Sequence, residues 1–124
     1  MPWFNGEPIV PGEAEGEAVV AESLSFYGEV DPQTGRLADG RSIAGKILVI
    51  GRSRGSTVGS YIIYALSRNQ KAPKAIIIAG DPDPILITGA ILANIPLYKA
   101  KPQIMKTVRD GSRVRINKNT IHVE

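Results

Sequence analysis

Two runs of consecutive apolar residues dominate the hydropathy pattern: residues 46–50, KILVI, and residues 75–79, AIIIA. Runs of this length bounded by turn-forming residues are the mark of strands buried on both faces. Between them Val58, Tyr61, Ile62, Ala65 and Leu66 fall at intervals of three, four, seven and eight, which predicts one apolar stripe on a helix ending near Asn69. A strand, a glycine-rich loop, a helix and a second strand therefore follow in order, and such a crossover places the two strands parallel. Asp83 followed by Pro84 reads as a helix cap and first turn leading into residues 85–93, with Gly89 weakening that helix, and residues 95–98 return as a strand.

The flanks are richer in alternation and turns. Residues 17–21 and 24–30 read as short strands, and Asp31-Pro32-Gln33-Thr34-Gly35 as the turn that follows them. A loop over 38–41 comes next. Near the C-terminus a turn at Asp110-Gly111, a strand over 113–117, a turn at Lys118-Asn119 and a strand over 121–123 predict a β-hairpin. The expectation is a single α/β domain over residues 1–124, with a βαβαβ middle on a mixed sheet or partial barrel.

Composition narrows the chemistry. The chain has no cysteine, so disulfides, thiolate catalysis, thiolate zinc sites and cysteine-ligated iron-sulfur clusters are excluded from it. No apolar run reaches the length of a membrane span, and the N-terminus lacks the basic start and apolar stretch of a signal peptide, so a cytoplasmic, soluble protein with no membrane partner is expected. The net charge of +3 arises from basic residues scattered from Arg36 to Lys118, while the first third is acidic through Glu7, Glu13, Glu15, Glu17, Glu22 and Glu29. That distribution argues against a nucleic-acid partner. With 124 residues the chain is short for an enzyme that encloses a complete active site.

The densest chemistry lies in residues 51–60, GRSRGSTVGS, between the first buried strand and the helix. Free N–H groups in a helix's first turn carry partial positive charge and favour anions. Gly51 and Gly55 let backbone approach a ligand, Ser53, Ser56, Thr57 and Ser60 supply hydroxyls, and Arg52 and Arg54 add charge. This composition fits a phosphate or carboxylate without fixing a reaction. It is neither a P-loop, which needs lysine where Ser56 stands, nor the GxGxxG dinucleotide fingerprint. Gly51 to Gly55 spells the letters of the nucleophile elbow, but no triad histidine accompanies it. The structural alternatives are Ser56 as a simple helix N-cap and Arg52 and Arg54 as solvated loop charges. His122, the one histidine, reads as a surface or edge residue; Asp81 and Asp83 follow a strand's carboxyl end and either line the site or serve as turn and cap residues. Trp3, Phe4, Phe26 and Tyr27 are aromatic candidates for the core or for a partner interface.

Three blocks of sequence, SFYGEVDPQTG, then RGSTVGSYIIYAL after KILVI, then DPILITGAILANIPL, occur in this order across residues 25–97. Together they resemble the small subunit, or swivel domain, of aconitase X proteins. The resemblance implies a swivelling β/β/α fold packed against a large dehydratase subunit, which carries a [4Fe-4S] cluster on its cysteines, leaving this chain with no cofactor of its own. It implies a hydro-lyase inactive without that subunit, in which the cluster iron acts as Lewis acid and Ser56 is the proton acceptor. A serine alkoxide at a helix N-terminus, beside Arg54 and shielded from water by the larger subunit, would be stabilised by the field that holds an anionic substrate. Archaeal members encoded as separate small chains dehydrate mevalonate 5-phosphate to trans-anhydromevalonate 5-phosphate, a small phosphorylated substrate, whereas fused relatives act on hydroxyprolines. A non-catalytic phosphate-binding regulatory module is the reading from another class.

Overall fold

Both apolar runs are central strands of one mixed sheet. The structure, a computed structural model, describes residues 2–55 and 57–124. In chain order its strands are β1 (Trp3–Asn5), β2 (Glu7–Val10), β3 (Ala14–Leu24), β4 (Val30–Asp31), β5 (Arg36–Leu37), β6 (Ile47–Ser53), β7 (Ala75–Ala79), β8 (Leu97–Ala100), β9 (Arg113–Asn117) and β10 (Thr120–Val123). The helices are α1 (Phe26–Glu29), α2 (Gly59–Arg68), α3 (Pro84–Ala93) and α4 (Ile104–Thr107). As expected, β6, β7 and β8 run parallel and adjacent, joined through α2 and α3.

The alternation of side chains along these strands builds two cores. Ile47, Val49 and Ile77 point to one face, where Tyr98 and the hairpin residues Val114, Ile116 and Ile121 meet them. Leu48, Ile50, Ile76 and Ile78 point to the other, against Ile63 and Leu66 of α2 and Leu86 and Ala90 of α3. Because both faces of β6 and β7 are covered, an uninterrupted apolar run is the only pattern that suits them. The result is a β/β/α layering.

A single long strand links the layers. The first half of β3 pairs antiparallel with β9, Ala14 opposite Ile116, and its second half pairs parallel with β6, Ala18 opposite Ile47. Where β3 leaves β9, the turn after α4 takes over its exposed edge: Ala18 N donates to Ser112 O at 2.8 Å and Val20 N to the Asp110 carboxylate at 2.8 Å. The expected strand over 24–30 is therefore corrected. Leu24 ends β3, and residues 26–29 form a turn of helix broken by Gly28 at φ +93°. The burial of Phe26 and the bond from Ser25 N to the Glu29 carboxylate at 2.7 Å hold this turn closed.

The proline-rich N-terminus supplies both sheet edges. β1 pairs with β10 and β2 with β8, so the strand order β1-β10-β9-β3-β6-β7-β8-β2 begins and ends on neighbouring segments separated by Gly6. The sheet thereby curls into a partial barrel. Pro8 is tolerated because β2 is an edge strand. A Cβ on Gly6 would lie 2.9 Å from Ile121 Cδ1 and 3.2 Å from a Tyr98 ring carbon, so only glycine lets the corner close this tightly.

Helix α2 departs from the sequence reading in the face that it buries. α2 buries Gly59, Ser60, Ile63 and Leu66, while Tyr61, assigned to the buried stripe, is 71% exposed. The cause is α3. A Cβ on Gly89 would stand 2.6 Å from Ile63 Cδ1 and 3.2 Å from Ser60 Cα, so the two helices cross through their smallest residues and leave no room for a ring. Gly89 is thus a contact point, and the helix it seemed to weaken spans Pro84–Ala93 with Asp83 as its cap. The last parallel strand begins at Leu97, two residues later than expected, after Pro96.

Candidate functional site

Strands β3, β6, β7 and β8 all direct their carboxyl ends to the same rim of the sheet, the location where α/β proteins place their ligands. The loop after β6 starts from a constrained point. Gly51 stands opposite Glu22 on β3, and a Cβ there would sit 2.6 Å from the Glu22 carbonyl oxygen. Ser53 completes the strand opposite Leu24, and Arg54 N continues the ladder by donating to Leu24 O at 2.9 Å.

Arg54 is anchored. Its Nε donates to Ser23 Oγ at 2.7 Å and its Nη2 to Glu29 Oε1 at 2.5 Å. Among the described residues two of the five guanidinium N–H groups are used in this way. The hydrogen bond from Arg54, then that from Ser25 N, hold the Glu29 carboxyl below the ordinary glutamate range. Arg52 is exposed and forms no ion pair among the described residues. It borders an open groove of about 460 Å³ with Glu22, Ser23, Gly51, Ala79, Pro102 and Met105. Gly55 and Thr57 are exposed, and Ser53 is half-buried. Ser56 lies outside the described residues, and with it both roles read for it, base and helix cap. α2 itself begins at Gly59, and Ser60 Oγ reaches back to Thr57 O at 3.4 Å.

The two aspartates after β7 separate. Asp81 turns to β8 and pairs with Lys99, whose pKa is raised by that bond and charge. Asp83 turns to the loop: a Cβ on Gly55 would be 3.6 Å from its Cγ and from both of its oxygens. Its Oδ1 accepts from Leu86 N at 2.8 Å, capping α3, while Oδ2 is shut from solvent with no hydrogen-bond partner among the described residues. His122 is half-buried and not at an edge, since β10 lies between β1 and β9. Among the described residues no three His, Asp or Glu side chains converge to hold a metal ion, and with no cysteine the chain does not fit a cysteine-ligated cluster.

Glu29 and Ser23, which hold Arg54, are site residues that the sequence reading missed. Glu29 was counted as acidic composition and Ser23 lay between two expected strands. The available signal was charge balance, since two arginines in an exposed loop need a nearby carboxylate if either is to be fixed in place. Of the aromatic candidates, Phe26 belongs to the core, whereas Trp3 and Tyr27 are each 57% exposed.

Known proteins resemble this chain along nearly its whole length. The profile of the aconitase X swivel domain matches residues 3–124. A phosphomevalonate dehydratase small subunit from Aeropyrum pernix is 56% identical over 115 residues, covering 92% of this chain and 86% of that protein. The protein of the same name from Thermococcus gammatolerans is 50% identical over 98% of this chain and 95% of its own length. In three dimensions the crystal structure of Thermococcus kodakaraensis aconitase X in its holo form superposes with a TM-score of 0.91 at 42% identity, over 100% of this chain and 99% of that one. The β/β/α layering, the glycine-rich loop at the strand ends and these likenesses agree, and the chain belongs to the aconitase X swivel-domain family.

Proposed function

We propose that this chain is the small subunit of a two-chain hydro-lyase that dehydrates mevalonate 5-phosphate to trans-anhydromevalonate 5-phosphate, with Ser56 as proton acceptor. The observation that carries the reading is the likeness, along almost the whole chain, to archaeal proteins named phosphomevalonate dehydratase small subunit. The site supports a shared active centre. Arg52, Arg54, Gly55 and Thr57 are all exposed, so a ligand held there by this chain alone would stay in water, where charge–charge contacts are weak. A second chain closing over the loop would supply the missing wall and the dry surroundings that strengthen such contacts.

The division of labour follows. The [4Fe-4S] cluster is assigned to the large subunit, where it would supply Lewis-acid chemistry. This chain contributes charge and the base: the exposed guanidinium groups of Arg52 and Arg54 attract the anionic substrate, and Glu29 and Ser23 keep Arg54 in register. Ser56 takes the proton from the carbon beside the carboxylate, the carbon–oxygen bond to the hydroxyl breaks, and a carbon–carbon double bond forms as water departs. Exposed Tyr61 and Tyr27, beside the loop in α2 and α1, offer apolar surface to the larger chain.

The test is reconstitution with the cluster-bearing large chain under anaerobic conditions, followed by assay of mevalonate 5-phosphate dehydration. Ser56→Ala is expected to lower kcat by about 100-fold or more while leaving assembly intact. Full activity in that variant removes Ser56 as the base, and turnover of hydroxyproline in place of the phosphorylated substrate replaces the substrate assignment.

A further inference from the structure

The proposed substrate is anionic at both ends, and its phosphate monoester alone brings about −1.5 to −2 charge. Against this the loop after β6 offers Arg52, which has no ion pair among the described residues, and Arg54, whose charge Glu29 already offsets. A further cation is needed, and strand register locates one across the rim. Ile50 stands opposite Ile78, and Ile78 opposite Lys99, so two residues further along each strand Arg52, Gly80 and Lys101 come to one level. With neighbouring strands about 4.8 Å apart, the backbones of Arg52 and Lys101 lie about 10 Å from each other. No side chain stands between them in this row, because its middle position is Gly80, at φ +139°. Two open cavities occupy this stretch of rim and meet at Pro102, which lines both. Arg52 borders the first together with Glu22 and Met105, and Lys101 borders the second, of about 320 Å³, together with Glu7, Gly80 and Lys99. Lys99 is committed to Asp81, and the Glu7 charge acts on it as well. Lys101 is exposed and has no ion pair among the described residues, while its backbone is fixed by the end of β8 and by Ile104 N, which donates to Lys101 O at 3.0 Å.

We infer that Lys101 is a specificity-determining residue, binding the phosphate of a substrate whose carboxylate is held across the rim by Arg52 and Arg54. The residue types suit the two ends. A planar carboxylate matches the fork of an arginine, whereas the compact ammonium of a lysine meets a phosphate as a point charge. The carbon chain between the two ends then lies along the apolar surface of Pro102 and Met105. A hydroxyproline has one carboxylate and no phosphate, so Lys101 favours the phosphorylated substrate over it. The inference rests on the proposed substrate.

In the complex reconstituted with the large chain, Lys101→Met is expected to raise KM for mevalonate 5-phosphate by about 10-fold or more while kcat stays within about threefold. Competitive inhibition by inorganic phosphate should weaken by a similar factor, and Lys101→Arg should restore most of both. Lys71→Met removes the same charge ahead of β7, at the amino ends of the strands, and should leave KM at the parental value. Several outcomes overturn the role of Lys101 alone: parental KM in Lys101→Met, a loss confined to kcat, or an equal rise of KM in Lys71→Met. Phosphate inhibition that is absent from the parent or unchanged in the variant does so too, as does failure of Lys101→Met to assemble with the large chain. A parental complex that does not dehydrate mevalonate 5-phosphate overturns this inference together with the function it rests on.

Discussion

Glu29 Oε1 accepts from Arg54 Nη2 at 2.5 Å, tying the short helix after β3 to the loop after β6. Because this bond and the one from Ser25 N depress the Glu29 pKa, their stabilising effect is fully present above the ordinary glutamate value and is lost as pH falls through the depressed one. Acid therefore releases Arg54. Glu29→Gln should reduce kcat/KM by about two- to fivefold at neutral pH, the range expected for a partly exposed ion pair. The stability difference between parent and variant should shrink as pH drops through the carboxylate range. Denaturation at a series of pH values checks this; a difference that grows on acidification would contradict the sign.

Gly89→Ala tests the crossing of α2 and α3. In an exposed helix the substitution would be favourable by about 1 kcal/mol. Here the added carbon would meet Ile63 Cδ1 at 2.6 Å, Ile63 Cβ at 3.0 Å and Ser60 Cα at 3.2 Å. The isoleucine tip can swing aside, but Ser60 Cα is backbone, and overpacking of this kind costs about 1–3 kcal/mol. Net destabilisation is the expected outcome. Pairing it with Ile63→Val should recover part of the loss, which a double-mutant cycle in urea would measure.

How far the sequence reaches is clear from these same residues. Strands β6 and β7 and helix α3 were legible because their signals are local: unbroken apolar runs, and Asp-Pro at a helix start. The chemical composition of the loop was equally legible. What was hidden depends on contacts between distant segments. Nothing in the spacing of Val58, Tyr61 and Leu66 reveals that Gly89, more than twenty positions on, would turn α2 to expose Tyr61. Nor does local pattern show that Pro8 and Trp3 sit on opposite edges of one curled sheet, because edge pairing is set by β8 and β10. The same holds at the site, where Glu29 holds Arg54 from 25 positions away and Asp83 reaches Gly55 from the far side of a crossover.

Gly51→Ala gives the most direct test of whether the strand ends govern the loop. A methyl group there would lie 2.6 Å from the Glu22 carbonyl oxygen, which belongs to the backbone of β3 and cannot rotate away. β3 and β6 would have to part at this point. The adjacent pairs Ser23–Arg52 and Leu24–Ser53, and the bond from Arg54 N to Leu24 O, lie immediately beyond it. The expected loss of stability is about 1–3 kcal/mol, from strain and weakened pairing. Activity should fall by more than that loss implies, because a displacement of about 1 Å at a catalytic group costs roughly 100-fold. The two effects are separable by assaying at a temperature well below the variant's melting point. If kcat/KM there equals that of the parent, the strand ends do not set the loop, and the bonds of Arg54 to Ser23 and Glu29 suffice to place it.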